Sequence, residues 1–96
     1  MAKTFWVATY QEIHDAEKLA AYAELALPAI TAAGGRFIAR GMPAAIREGG
    51  KMERTVIVEF DSLEAALAAY ESPAYEEALA KLGDGVTRDI RLVEAS

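Results

Sequence analysis

Residues 54–75 read RTVIVEFDSLEAALAAYESPAY, and their hydrophobic period changes partway along. Residues 54–60 alternate between an apolar side and a mixed side, which predicts a β-strand. The next segment, DSLE at 61–64, has the spacing of a capping box and predicts the start of a helix. The Ser-Pro pair at 72–73 predicts that this helix restarts, because serine caps helices and proline loses no hydrogen bond at the first helical position.

The remaining elements lie on both sides of this stretch. Residues 4–10, TFWVATY, are rich in aromatic and β-branched side chains and predict a first strand. Asp15 begins an amphipathic helix that the glycine pair 34–35 ends. Two further strands are predicted at 36–41 and 87–94, the former in an antiparallel hairpin with the strand described above. The order β-α-β-β-α-β predicts a ferredoxin-like α+β fold, with the helices on one face of a four-stranded antiparallel sheet.

Composition limits the class of protein. The 96 residues are 53% hydrophobic and 26% charged, which predicts a single folded domain over residues 1–96. Cysteine is absent and histidine occurs once, so we expect no disulfide and no metal site. The glycine pairs match neither a phosphate-binding loop nor a dinucleotide fingerprint, so we expect no cofactor.

Charge and hydrophobicity along the chain indicate where the protein works. The net charge of −5 has the wrong sign for a nucleic-acid partner. The first residues lack the apolar segment of a signal peptide, and no run approaches the roughly 20 apolar residues that a membrane span requires. We therefore expect a cytoplasmic protein with neither a membrane nor a nucleic-acid partner.

Apolar residues lie on both sides of the predicted strands. One side carries Val56, Val58, Phe60, Ile90 and Leu92, and the other carries Ile38, Ile57 and Val93. Because the helices cover only one face of such a sheet, the second apolar face would stay exposed in a monomer. Closed twofold symmetry is the commonest way to bury a self-complementary surface, so we predict a homodimer, sheet against sheet or edge to edge.

Three longer stretches resemble a known family. They are GGRFIARG at 34–41, VIVEFDSLEAALAAYESPAY at 56–75 and RDIRLVEA at 88–95. The chain is similar, from about residue 5 to residue 95, to the family called domain of unknown function 1330, small bacterial proteins of the dimeric α+β barrel superfamily. The matching positions are Tyr22, Pro28, Gly34, Gly35, Arg40, Gly41, Glu59, Phe60, Tyr70, Ser72, Tyr75 and Asp89. The resemblance implies the fold and the dimer and implies no activity.

Charged residues on the predicted strands form the first candidate site. Regular alternation places Arg36, Arg40, Glu59, Asp89 and Arg91 on one face. These charges would either form ion pairs across strands or subunits, or line a polar pocket. In such a pocket Arg40 would hold a carboxylate or enolate and Glu59 would move a proton.

Aromatic residues and the single histidine form the second candidate site. Tyr22, Tyr70 and Tyr75, with Trp6 or Tyr10 from the first strand, would line a ligand cavity between helices and sheet, or would simply fill the core. His14 precedes the first helix, where it would be a general base at the mouth of a pocket or an ordinary exposed loop residue.

The residues leave two classes of function open, and they do not decide whether the protein is an enzyme. The first is binding of a small metabolite, including an anionic one, in a pocket of the barrel, with cofactor-independent isomerase-like or hydrolase-like chemistry as an extension. The alternative is a non-catalytic structural or protein-interaction dimer. The chain contains no asparagine, which argues against the asparagine-dependent oxygenases and haem-degrading enzymes that share such barrels.

Overall fold

The computed structural model describes residues 2–96. In chain order the elements are β1 (Thr4–Ile13), α1 (Ala16–Ala32), β2 (Arg36–Gly41), β3 (Thr55–Phe60), α2 (Leu63–Glu71), α3 (Pro73–Leu82) and β4 (Val86–Glu94). The four strands form one antiparallel sheet in the order β2-β3-β1-β4. This topology is ferredoxin-like, so the predicted α+β fold is confirmed.

Side-chain caps determine where the helices begin. The Asp15 carboxylate accepts hydrogen bonds from two backbone amides of the first turn of α1, as predicted. Ser62 caps α2, one position later than the first residue of the DSLE segment. Ser72 separates α2 from α3: its hydroxyl accepts from the Tyr75 amide at 3.2 Å and donates to the Ala69 carbonyl at 2.8 Å. The predicted restart at Ser72-Pro73 is thus present.

The helix-facing side of the sheet forms the core. The largest fully buried side chains there include Trp6, Val58, Phe60 and Tyr75. Gly35 lies against this core, because an added Cβ would approach the side chains of Val58 and Phe60 to 2.9 Å. No larger residue fits there without displacing its neighbours.

The opposite side of the sheet, here called the outer face, is not covered by a helix. It carries half-buried Phe5, Val7 and Ile57 and leaves Val93 52% exposed and Ile38 53% exposed. The prediction that both faces carry apolar side chains is therefore confirmed.

Strand β2 contains one extra residue. Phe37 pairs with Val58 and Ala39 pairs with Ile57, so Ile38 has no partner and forms a bulge. Because facing residues in antiparallel strands share a side, the bulge changes which side the following residues of β2 occupy.

No helix within residues 2–96 has both the length and the apolar character to cross a bilayer.

Candidate functional site

A cavity of about 260 Å³ lies between α1 and the helix-facing side of the sheet. Small side chains create it: Ala16, Ala20 and Ala23 of α1 and Ala8 of β1 are among its lining residues. Ala16, Ala20 and Ala23 are spaced so that they lie on one stripe of α1. Larger side chains on that stripe would fill the space above the strands, whereas alanines leave it open. The wall is mainly apolar, which is typical of small-molecule sites.

Three arginines, Arg40, Arg54 and Arg88, also line the cavity, and no aspartate or glutamate does so within residues 2–96. None of these arginines forms an ion pair with a carboxylate in the described part of the chain. In a protein of net charge −5, this concentrates uncompensated positive charge at one place.

Arg88 is the most enclosed of these cations. It is half-buried, and its Nη1 donates to the Tyr10 hydroxyl at 2.9 Å and to the Tyr22 hydroxyl at 3.2 Å. Its Nη2 donates to the Tyr75 hydroxyl at 3.2 Å. The guanidinium carbon also lies 4.8 Å from the centre of the Tyr22 ring and 5.5 Å from that of Tyr10, within the range of cation–π attraction.

The hydroxyl protons around Arg88 exceed their protein acceptors. Tyr22 and Tyr75 share one short hydrogen bond of 2.6 Å between their oxygens, which uses one of the three hydroxyl protons. Within residues 2–96 no carbonyl or carboxylate accepts the proton of Tyr10 or the one left over from the Tyr22–Tyr75 pair. Two O–H donors and a guanidinium therefore converge with spare donor capacity.

Burial and neighbouring groups keep Tyr75 neutral and Arg88 charged. Burial, and after it the adjacent Tyr22, raises the pKa of Tyr75 above its usual range, so its phenol stays neutral. Burial alone would lower the pKa of Arg88. The surrounding Tyr22, Tyr75 and Tyr10 together outweigh burial and raise the pKa of Arg88, so its guanidinium stays charged. The cluster is a set of donors around a fixed positive charge.

Aromatic packing holds the cluster from behind. The Trp6 ring packs edge-on against Tyr75 at 5.2 Å between centroids, and Tyr75 packs edge-on against Tyr22 at 5.9 Å. Such contacts fix the ring positions and therefore the positions of the hydroxyls.

The structure separates Arg40 from Glu59, although regular alternation predicts that they share one face. Because of the bulge at Ile38, Arg40 pairs with Val56 and lies on the helix-facing side, where it lines the cavity. Glu59 pairs with Arg36 on the outer face. Regular alternation had placed all these charges on one face, and the extra residue in β2 separates them.

The outer-face charges neutralise one another. Arg36 Nε donates to Glu59 at 2.9 Å, and Arg91 lies 3.3 Å from Asp89. The hydrogen bond from Arg36 lowers the pKa of Glu59 below its usual range, so Glu59 is ionised near neutral pH. This arrangement is the ion pairing that the sequence analysis left as one of two possibilities.

The remaining predicted residues lie in different places. Tyr22 and Trp6 line the cavity, while Tyr75 is fully buried behind them. Tyr70 is 41% exposed and lines a separate groove under α2. His14 is exposed, with one ring nitrogen 2.8 Å from the Thr87 hydroxyl, and it is not among the cavity residues.

Arg88 and Arg54 were missed by the sequence analysis. For Arg88 a signal existed: it alternates with Ile90 and Leu92, so it occupies the apolar side of β4. A charged residue on an apolar side needs a partner, and that requirement identifies a candidate site. In residues 2–96 no group of histidine, cysteine, aspartate or glutamate is arranged to hold a metal ion.

Comparisons with solved structures show the same fold. A protein of unknown function from Rhodopseudomonas palustris superposes with a TM-score of 0.79 at 17% sequence identity, over 99% of this chain and 83% of that one. SnoaB, a cofactor-independent oxygenase from Streptomyces nogalater, gives a TM-score of 0.71 at 14% identity, over 100% of this chain and 95% of that one. A dimeric protein of unknown function with a ferredoxin-like fold from Bacteroides fragilis gives 0.62 at 18% identity, over 99% and 98%.

Sequence comparison gives the family. No curated protein matches the chain significantly. The family model described as domain of unknown function, DUF1330, matches residues 3–96, which includes Arg88 and its tyrosine partners. The resemblance carried by the glycine pair and the Tyr-Glu-Ser-Pro-Ala-Tyr stretch is thereby confirmed, and the chain belongs to the DUF1330 family.

Proposed function

We propose that this protein binds a small, largely apolar molecule that carries an oxyanion, such as a carboxylate, in the cavity beneath α1. One observation carries the proposal: the cavity combines apolar walls with three arginines and, in the described chain, no acidic residue. Ligand sites commonly combine an apolar lining with a few polar groups that fix orientation.

The Arg88 cluster supplies the place for the oxyanion. A half-buried guanidinium without a carboxylate partner is costly, and hydroxyls compensate it only in part. An anionic oxygen beside Arg88 would pair with its charge and accept the spare protons of the tyrosine hydroxyls. Tyr10, Tyr22 and Arg88 all line the cavity, so a ligand there reaches these donors directly.

The lining favours binding over proton transfer. Within residues 2–96 it includes no carboxylate and no imidazole, and the raised pKa of Tyr75 keeps the neighbouring phenol neutral. Isomerase-like or hydrolase-like turnover in this cavity would rest on stabilising an oxyanion that develops on the substrate, which the Arg88 cluster is suited to do.

Calorimetry with paired ligands tests the proposal. A panel of aromatic and branched carboxylates, each with its uncharged amide, is titrated into the wild-type protein, the Arg88→Gln variant and the Arg47→Gln variant. Arg47 is an exposed loop arginine that does not line the cavity, so its variant controls for the loss of one positive charge.

We expect at least one carboxylate of the panel to bind more tightly than the matching amide. This preference should be present in both the wild type and the Arg47→Gln variant. The Arg88→Gln variant should lose about tenfold or more in affinity, because a hydrogen bond to a charged group contributes about 1.5–3 kcal/mol. Equal binding of acid and amide, or an Arg88→Gln variant that binds like the wild type, would contradict the proposal.

We also propose that the protein forms a homodimer through the outer face. This assembly is compatible with the alternative function, a non-catalytic structural or protein-interaction dimer. Its support is the exposed Ile38 and Val93 on a sheet face that no helix covers, and solved relatives are described as dimeric. Replacing Val93 with glutamate should shift the mass measured by light scattering from that of a dimer to that of a monomer. The control variant Leu67→Glu, at an exposed side chain of α2, should remain a dimer. A wild-type monomer would refute this assembly.

A further inference from the structure

We infer that the cavity is built for a ligand with two oxyanionic groups, one at each end of a short apolar body. This inference rests on the proposed function and adds the second anionic group. It comes from the placement of Arg88 and Arg54 on opposite sides of one residue of the central strand, Tyr10.

Strand register places these residues in one row across the sheet. Tyr10 pairs with Arg88 on β4. On the other side, Thr9 pairs with Thr55, and the Tyr10 amide donates to the Arg54 carbonyl at 3.1 Å. Neighbouring strands lie about 4.8 Å apart, so the two arginines flank Tyr10 with their backbones about 10 Å apart.

The two ends of the row differ in surroundings. Arg88 is held by phenol hydroxyls and its position is fixed from several sides. Arg54 is half-buried, and exposed Arg40 lies nearby on the adjoining strand, where its guanidinium carbon is 5.2 Å from the Phe37 ring centre. The side of the cavity at Arg88 therefore offers a rigid pocket for a single oxyanion, and the opposite side is lined by Arg54 and Arg40.

Arg40 and Arg54 differ from the strand arginines of the outer face because they lack a carboxylate partner among the residues that the structure describes. Arg36 and Arg91, which also lie on strands, each form an ion pair with a carboxylate of this chain. Arg40 and Arg54 form none within residues 2–96, although acidic residues outnumber basic ones by 15 to 10 in the whole chain. Paired charges need no ligand, whereas a converging unpaired group attracts an anion.

The space between the two ends is apolar. Ala8 and Val56 form its floor, and the alanine stripe of α1 forms its roof. A volume of about 260 Å³ suits a body about the size of one aromatic ring or a short branched chain. The ligand class that matches all these features is a small aromatic or branched dicarboxylate.

The test compares three ligands with the same ring. Phenylacetate carries one carboxylate, 4-carboxyphenylacetate carries two, and its methyl ester on the ring carboxyl has the longer shape with a single charge. Each is titrated by calorimetry into the wild type, the Arg40→Gln/Arg54→Gln double variant, Arg88→Gln and the Arg47→Gln control.

We expect the dicarboxylate to bind the wild type and the Arg47→Gln control about tenfold more tightly than either single-charge ligand does, since the second carboxylate gains charge-assisted hydrogen bonds. The double variant should bind all three ligands with similar affinity, and Arg88→Gln should weaken all three.

The outcomes separate the two proposals. If phenylacetate binds in an Arg88-dependent manner but the dicarboxylate gains nothing, the second anionic group is refuted and the proposed function stands. If the dicarboxylate keeps its advantage in the double variant, Arg40 and Arg54 do not hold the second group and the inference is overturned. If none of the three ligands binds the wild type, both proposals fail for this ligand class.

Discussion

Replacing Tyr75 with phenylalanine should lower the free energy of unfolding by about 2 kcal/mol through the loss of one hydroxyl. Tyr75 is fully buried, and its hydroxyl lies 2.6 Å from that of Tyr22 and 3.2 Å from Arg88 Nη2. Phenylalanine keeps the ring and its edge-on packing against Trp6, so the change removes hydrogen bonds and little else.

The magnitude follows from the partners. A neutral hydrogen bond contributes about 0.5–1.5 kcal/mol and one to a charged group about 1.5–3 kcal/mol. Tyr22 keeps its bond from Arg88 in the variant, whereas Nη2 loses its acceptor. The expected loss in the free energy of unfolding is therefore closer to the contribution of one hydrogen bond to a charged group than to the sum of both hydrogen-bond contributions. For a chain of this size, about 2 kcal/mol corresponds to a melting temperature lower by roughly 8–16 °C.

Urea unfolding at neutral pH, followed by circular dichroism and by the fluorescence of the single tryptophan, measures the effect. Tyr70→Phe is the matched control, because Tyr70 is 41% exposed and its hydroxyl has no hydrogen-bond partner within residues 2–96. Its variant should stay within about 0.5 kcal/mol of the wild type. A loss in Tyr75→Phe no larger than that in Tyr70→Phe would show that the buried hydroxyl contributes no more to stability than an exposed one, which would contradict a preorganised Arg88.

Three further predictions concern the scaffold. Gly35→Ala should cost about 1–3 kcal/mol in thermal unfolding, because the new methyl group would press on Phe60 and its neighbours; an unchanged melting temperature would contradict this close packing. Ser72→Ala should cost about 1 kcal/mol and speed hydrogen exchange at the Tyr75 amide, which the serine caps, while unchanged exchange would exclude the cap. Burial, and then Tyr22, raises the pKa of Tyr75, so its contribution to stability is complete below the unfolded pKa of about 10 and falls as the pH rises further. The urea midpoint of the wild type should therefore fall more steeply above about pH 10 than that of Tyr75→Phe, and parallel curves would contradict the raised pKa.

Most of the fold follows from periodicity. The strand at 36–41 was predicted with the bounds that the structure shows, because glycines precede it and its residues alternate. β1 was predicted to end at residue 10, but it continues to Ile13. The extension passes an irregularity between Tyr10 and Glu12, and it exists because β4 supplies partners there, which no local pattern reveals.

The candidate site was harder to predict because its groups meet only in three dimensions. Arg88 lies 78 residues from Tyr10 and 66 from Tyr22 along the chain. No motif spans such separations, so only the exact register of β1 with β4 and the placement of α1 bring these side chains together. The tyrosines themselves were singled out for their size and amphipathic character, and the arginine that organises them was not.

Arg40 shows a different limit. The order Arg36, Phe37, Ile38, Ala39, Arg40 reads as a regular strand, and alternation then puts both arginines on one side. A bulge leaves no mark on such a pattern, because the extra residue is recognised only by what the neighbouring strand pairs with. The family resemblance includes Arg40 among its matching positions but carries no information about which side of the sheet its side chain occupies.

The bulge at Ile38 also means that the number of residues in β2 does not by itself decide on which side of the sheet Arg40 lies. A gene that lost one codon between Phe37 and Arg40 would encode a regular strand, in which Phe37 still faces Val58 and the arginine still faces Val56. Loss of this one residue therefore leaves the positive charge on the helix-facing side. In an alignment of relatives, the arginine before Gly41 should therefore be aligned across a one-residue gap in this strand.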